Sequence, residues 1–155
     1  MRSEHPALLR AHRTDFRWEG VEQRPYKEGG AAPFKAITRQ ELFADPSLGC
    51  ELRYFEIAPG GHSTLERHQH VHAVMVLHGH GRCLLGEQVR EVRPFDLITI
   101  PSWTWHQFRA SEAKPLGFLC MVNAARDRPQ LPTEQEFAAL VSSPAVAAFL
   151  ANSPR

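Results

Sequence analysis

Hydrophobic and polar residues alternate over short runs through most of this chain, and the runs are broken by Gly and Pro. From Phe34 onward the pattern predicts strands over residues 34–39, 50–58, 64–69, 72–77, 81–85, 89–93, 97–100, 106–110 and 116–122. Many short strands with turn residues between them predict an all-β sandwich or barrel. The tail changes period. Thr133-Glu134-Gln135-Glu136 reads as a capping box, in which the threonine hydroxyl and the Glu136 carboxylate close the first turn reciprocally. Phe137, Leu140 and Val141 follow at helical spacing. Pro144 then opens a second helix, with Val146, Phe149 and Leu150 on one side. These apolar faces are expected to pack on the outside of the barrel or on a partner subunit. Ahead of the strands, residues 6–13 are expected to form a helical turn or two, and Gly29-Gly30 with Pro33 to form a loop. The division is an N-terminal arm over 1–33, a barrel over 34–125, and a helical extension of the same domain over 126–155.

At 155 residues the chain is long enough for one domain to bury its own core. Formal net charge is +1 and no basic run or face stands out, so neither nucleic acid nor a membrane is an expected partner. Three widely spaced cysteines, Cys50, Cys83 and Cys120, form no C-x-x-C pattern and read as reduced thiols. Residues 1–6 carry no apolar stretch of signal-peptide type, and no run reaches membrane-spanning length. A cytoplasmic location is the expectation.

The chemistry concentrates between Gly60 and Gly81, where six of the nine histidines fall together with Glu66. Imidazole is the commonest protein metal ligand, and a carboxylate adds the negative charge a divalent cation needs. Glu66, His68, His70 and His72 would share one face of a straight strand. On such a strand Glu66 and His72 would lie roughly 20 Å apart, whereas first-row metals hold their ligands at about 2.0–2.2 Å. Either the chain turns between His68 and His72 or a local subset binds. A turn near residues 69–71 would set Glu66-x-His68 against His72 and lift His70 out of the site.

These residues resemble the cupin superfamily, whose first motif is G-x5-H-x-H-x3/4-E-x6-G and whose second is G-x5-P-x-G-x2-H-x3-N. Gly60, Glu66, His68, His72 and Gly79 fall on the first motif, with Glu66 where a histidine is usual and His72 where the glutamate is usual. Pro101 and His106 fall on the second. Its two glycines are replaced by Phe95 and Trp103, and its asparagine by Ala110. The resemblance covers about residues 50–123 and implies a small single-domain cupin: a double-stranded β-helix, or jelly-roll, barrel with a short C-terminal helical tail. It also implies a ligand set of Glu66, His68, His72 and His106 around one divalent transition metal (Fe, Mn, Ni, Zn or Cu). A rival set is His68, His70 and His106, with or without His72. Cupins commonly pair through barrel edges, so a homodimer is expected.

Four protein ligands on a six-coordinate ion leave positions for water, dioxygen or a chelating substrate. The expected function is a mononuclear metal-dependent enzyme on a small polar molecule, of dioxygenase or isomerase/lyase type. The alternative is a non-catalytic cupin that binds or senses a metal or a small ligand. His70 is the candidate proton-handling group, and Trp103, Trp105 and Phe108 are candidate substrate contacts. Tyr54, Glu56 and Arg53, on the strand before the motif, are further candidates whose facing the pattern leaves open. His62, His78 and His80 are expected in solvent-facing turns, and Phe118 and Cys120 in the core.

Overall fold

The computed structural model describes residues 7–27 and 33–151. The 28–32 part of the expected Gly29-Gly30 loop and residues 1–6 lie outside the described residues. Strands dominate: β1 (His12–Arg13), β2 (Arg17–Trp18), β3 (Gln23–Pro25), β4 (Lys35–Asp45), β5 (Cys50–His62), β6 (His72–Gly79), β7 (Gly81–Leu85), β8 (Gln88–Val92), β9 (Leu97–Ile100), β10 (His106–Ala110) and β11 (Leu116–Asn123). Two helices close the chain, α1 (Glu134–Leu140) and α2 (Pro144–Leu150). The class is all-β, as the alternation predicted.

One curled antiparallel sheet runs β8-β7-β10-β5-β11-β6-β9, with β4 also on β5 and β3 on β4. The long strand β5 is its spine. Its first part lies between β4 and β11, and its last residue, His62, reaches β10 opposite Arg109. The inward residues of this sheet form the main core, including Phe55, Ile57, Val74, Val76, Ile100, Phe108, Phe118 and Val122. A second cluster joins the tail to the barrel's outside, where Leu140, Val146, Phe149 and Leu150 cover Leu65 and Leu84. The helices therefore pack on the barrel of their own chain. The capping box at Thr133 and Glu136 is present in both directions.

Three expectations need correction. Residues 64–69 are not a ladder strand; β5 runs on to His62, and beyond it the segment makes only the isolated bridges Glu66↔His106 and Arg67↔Gln130 in place of a ladder. No helical turn forms over the described part of 6–13. Leu8 and Leu9 stay exposed with nothing to bury against, and His12–Arg13 pairs with Arg17–Trp18 as a short hairpin. That hairpin covers the outer face of β5, where Phe16 stacks on Tyr54 and His78 and Trp18 meets Tyr54 edge-on. The third correction concerns two histidines expected in solvent. His78 faces Glu56 at 2.8 Å beneath Phe16, and His62 is 1% exposed, with Nδ1 2.9 Å from the Ser63 carbonyl. His80 is exposed as expected.

The turns of the two motifs explain which residues can occupy them. Gly79 has φ +86°, and a Cβ there would lie 1.7 Å from the Pro115 carbonyl oxygen, so only glycine fits. Phe95 and Trp103, standing where the second motif has glycines, keep the left-handed backbone at φ 73° and 60°. An L-residue in that region costs roughly 1–2 kcal/mol. Phe95 is 79% exposed and recovers little by packing. Phe95→Gly should therefore raise stability by about 0.5–1 kcal/mol, the relief of strain being partly offset by the freer unfolded chain. Urea unfolding of the two proteins checks this, and a lower midpoint for the glycine variant would contradict it.

Candidate metal centre

Three elements bring three imidazoles together. His72 is the first residue of β6, with Ile100 and Val122 across from it on β9 and β11. His106 opens β10 and is bridged to Glu66. His68 lies in the segment between β5 and β6, held by the backbone bond from Trp103 N–H to its carbonyl at 2.7 Å. The chain bends over Gln69–His70, and Asp127 pins the bend. Its carboxylate accepts from the Gln69 N–H at 2.8 Å and the His70 N–H at 3.0 Å, and it contacts His70 Nδ1 at 2.7 Å. These bonds, the one from Gln69 N–H foremost, hold the Asp127 carboxyl well below the usual carboxylate range.

His68, His72 and His106 can each offer one ring nitrogen such that all three lie within 4.8 Å of one another. His68 Nδ1 sits 2.7 Å from the His70 carbonyl and His106 Nδ1 2.9 Å from the Thr104 carbonyl. A carbonyl only accepts, so each Nδ1 carries the hydrogen and each Nε2 presents its lone pair. His72 Nδ1 lies 3.3 Å from the Cys120 thiol. The Nε2 atoms of His68 and His72 are 3.0 Å apart. Two ligands on one ion at about 2.1 Å and at right angles would be separated by about 3.0 Å. The donor set and its spacing fit a divalent transition metal.

Burial keeps these rings neutral, the state a ligand requires. Loss of hydration, reinforced by His106, pushes the His68 pKa down to about 4. The same two causes bring His72 to about 2, with smaller contributions from His68, His70 and Arg53. His106 is also lowered by burial, while Glu66 opposes the shift.

The imidazoles face a cavity of about 150 Å³, which Glu66, His70, Phe108, Phe118 and Cys120 also line. Glu66 is buried, and its carboxylate is 2.5 Å from the Lys27 ammonium, which comes from the N-terminal arm. His70 stays at the cavity, its ring stacked on that of His68 with centroids 3.6 Å apart. Phe108 points inward. Trp103 and Trp105 do not reach this cavity; they line a separate depression beside α1, where Arg67 covers the Trp105 ring at 4.4 Å. Sequence reasoning missed Asp127 and Lys27. Nothing in their local sequence marks them, since Asp127 acts through partners 58 and 57 residues away and Lys27 through one 39 residues away.

The fold and the three-histidine cavity define a small β-barrel protein with a candidate mononuclear metal site. The cupin-domain family profile matches residues 53–122, and the chain belongs to the cupin superfamily. A 1-methylthio-D-xylulose 5-phosphate methylsulfurylase of Rhodospirillum rubrum is 59% identical over 142 residues, which span 92% of this chain and 91% of that protein. The crystal structure of a cupin 2 conserved barrel domain protein from Rhodopseudomonas palustris superposes with a TM-score of 0.87 at 57% identity, over 92% of this chain and 98% of the other. A cupin-2 domain protein of Rhodospirillum rubrum superposes with a TM-score of 0.84 at 57% identity, over 93% and 97% of the two chains.

Two outcomes are expected. His72→Ala and His106→Ala should each lower metal affinity at least about tenfold in direct titration, whereas His80→Ala should not change it. The second concerns acid. Unfolded imidazoles titrate near 6.5, and the folded protein holds His68 near 4 and His72 near 2. Between those values the unfolded chain binds more protons, so stability falls as pH drops below about 6.5. Urea midpoints of the metal-free protein should be lower at pH 5 than at pH 7.5; an unchanged midpoint would count against neutral buried rings.

Proposed function

We propose that this protein is a metal-dependent methylsulfurylase that removes the methylthio group from C1 of a 1-methylthio-2-ketopentose 5-phosphate. The observation that carries the proposal is the convergence of three neutral imidazoles on one small cavity. The 59% identity to a methylsulfurylase, over nearly the whole of both chains, supplies the substrate class. His68, His72 and His106 would hold the ion, and the Glu66 carboxylate, paired with Lys27 on the same cavity, would supply negative charge beside them.

When bound, a divalent ion supplies a Lewis acid for the C2 carbonyl oxygen. The reaction balances with a thiol as methylsulfur acceptor. The thiolate sulfur bonds to the methylthio sulfur, the C1–S bond breaks, and its electron pair stays on C1 as the enolate of the C2 ketone. A proton at C1 then gives the 1-deoxy ketose phosphate, and the other product is the methyl disulfide of the thiol. His70 would deliver that proton. Asp127 occupies its Nδ1, leaving Nε2 for exchange, and the stacked His68 ring fixes its plane. Phe108 and Phe118 give the cavity an apolar side suited to a methylthio group.

The test is incubation of metal-loaded protein with 1-methylthio-D-xylulose 5-phosphate and a small thiol, followed by proton NMR for a new C1 methyl signal. Absence of that signal from folded, metal-loaded protein would refute the proposal. His70→Gln should lower kcat by about 10²–10⁴-fold while binding metal as the wild type does; loss of metal binding instead would assign His70 to the ligand set.

A further inference from the structure

Four cationic side chains, Lys27, Arg39, Arg53 and Arg126, line the same cavity as the histidines. Two are already matched, Lys27 by Glu66 at 2.5 Å and Arg126 by Glu51 at 2.8 Å. Among the described residues, Arg39 and Arg53 form no ion pair. Arg53 Nε is buried without a hydrogen-bond partner, its Nη2 meets the Cys120 sulfur, a weak acceptor, at 3.7 Å, and its guanidinium lies over the Phe55 ring at 5.0 Å, so no anion compensates its charge. Strand register accounts for their place. Arg39 lies opposite Phe55 on the neighbouring strand, and Arg53 lies two residues before Phe55 and opposite Cys120. Arg39, Arg53, Phe55 and Cys120 therefore share the inner face of the sheet.

A guanidinium cannot shed its charge at physiological pH, so partial burial without a counter-ion costs free energy that an incoming anion recovers. The acids on this cavity, Glu66 and Asp127, are engaged by Lys27 and by the bend at Gln69–His70. We infer that Arg39 and Arg53 form an anion subsite that takes the phosphate monoester of the substrate and so sets its orientation toward the histidines. This rests on the reading of the histidine cavity as the reacting site. Two planar forks offer more donors than one carboxylate can use, and they suit the three free oxygens of a phosphate monoester. Arg53 Nη2 and His72 Nδ1 approach the same Cys120 sulfur, at 3.7 Å and 3.3 Å, on one cavity. One compact molecule can therefore span both groups.

The experiment is calorimetric titration of the metal-loaded protein with D-xylulose 5-phosphate, D-xylulose and inorganic phosphate. The ester should bind at least about tenfold tighter than the unphosphorylated sugar, and inorganic phosphate should compete with it. Arg39→Met and Arg53→Met should each weaken ester binding about tenfold and leave sugar binding unchanged, whereas Arg90→Met, on the surface strand β8, should do neither. Unchanged urea midpoints and metal titration show that the variants are folded and loaded. Equal affinity for ester and sugar, or full ester affinity in the Arg39→Met/Arg53→Met double variant, would overturn the inference. Tight, arginine-dependent ester binding without release of the methylthio group would leave the subsite standing and sink the methylsulfurylase reading; turnover without phosphate preference would do the reverse.

Discussion

A straight strand cannot deliver side chains four residues apart to a single ion, and this constraint governs the centre of the barrel. The bend at Gln69–His70 removes it by bringing His68 Nε2 to within 3.0 Å of His72 Nε2. A bend of that kind leaves backbone N–H groups without a ladder partner, and buried or half-buried donors must be satisfied. Asp127 takes two of them and Ser102 donates to the Gln69 carbonyl, so the conformation rests on side chains from two other segments. The Trp103 turn adds a backbone bond to the His68 carbonyl. The histidine geometry is therefore a product of tertiary packing around one bend, and not of any single strand.

Much of this was legible in the sequence because it depends on spacing. Period-two alternation located the barrel strands, and the length mismatch between Glu66 and His72 by itself demanded a turn if both were to reach one ion. What alternation could not show was the end of β5. Residues 64–69 alternate like a strand, but the ladder ends at His62 and the segment follows the barrel wall through isolated bridges. His62 and His78 looked like turn residues because each adjoins glycine. They are instead carried under the tail helices' side of the barrel and under the N-terminal hairpin, by elements distant in sequence. Asp127, Lys27, Arg39 and Arg53 share that property. A lone charged residue in a strand or loop says nothing about the cavity until register fixes its face.

The replacement of both second-motif glycines shows how far backbone geometry outlasts residue type. Phe95 and Trp103 hold the positive φ that glycine would take without strain, at turns that set the start of β9 and the approach to His106. Strain of this kind persists only where surrounding bonds over-determine it. At Phe95 those bonds are visible: its N–H donates to the Val76 carbonyl at 2.8 Å, and the Arg93 and Asp96 backbone and side-chain bonds close the turn.

Charge divides the cavity in a way that follows from its neutral and ionised groups. The three imidazoles are kept uncharged by burial, so they add lone pairs without adding positive charge. The permanent cations come from β4, β5, the Lys27 segment before β4 and the Arg126 segment after β11, and two of them keep carboxylate partners. Had the histidines been protonated, they would repel both a metal ion and Arg53, and the cavity would carry several uncompensated charges in a low-dielectric space. Neutral rings permit a metal and a guanidinium pair to coexist within one small volume. On the proposed reading, a molecule with a carbonyl at one end and a phosphate at the other would meet a complementary group at each end, and its length would set which carbon faces His70.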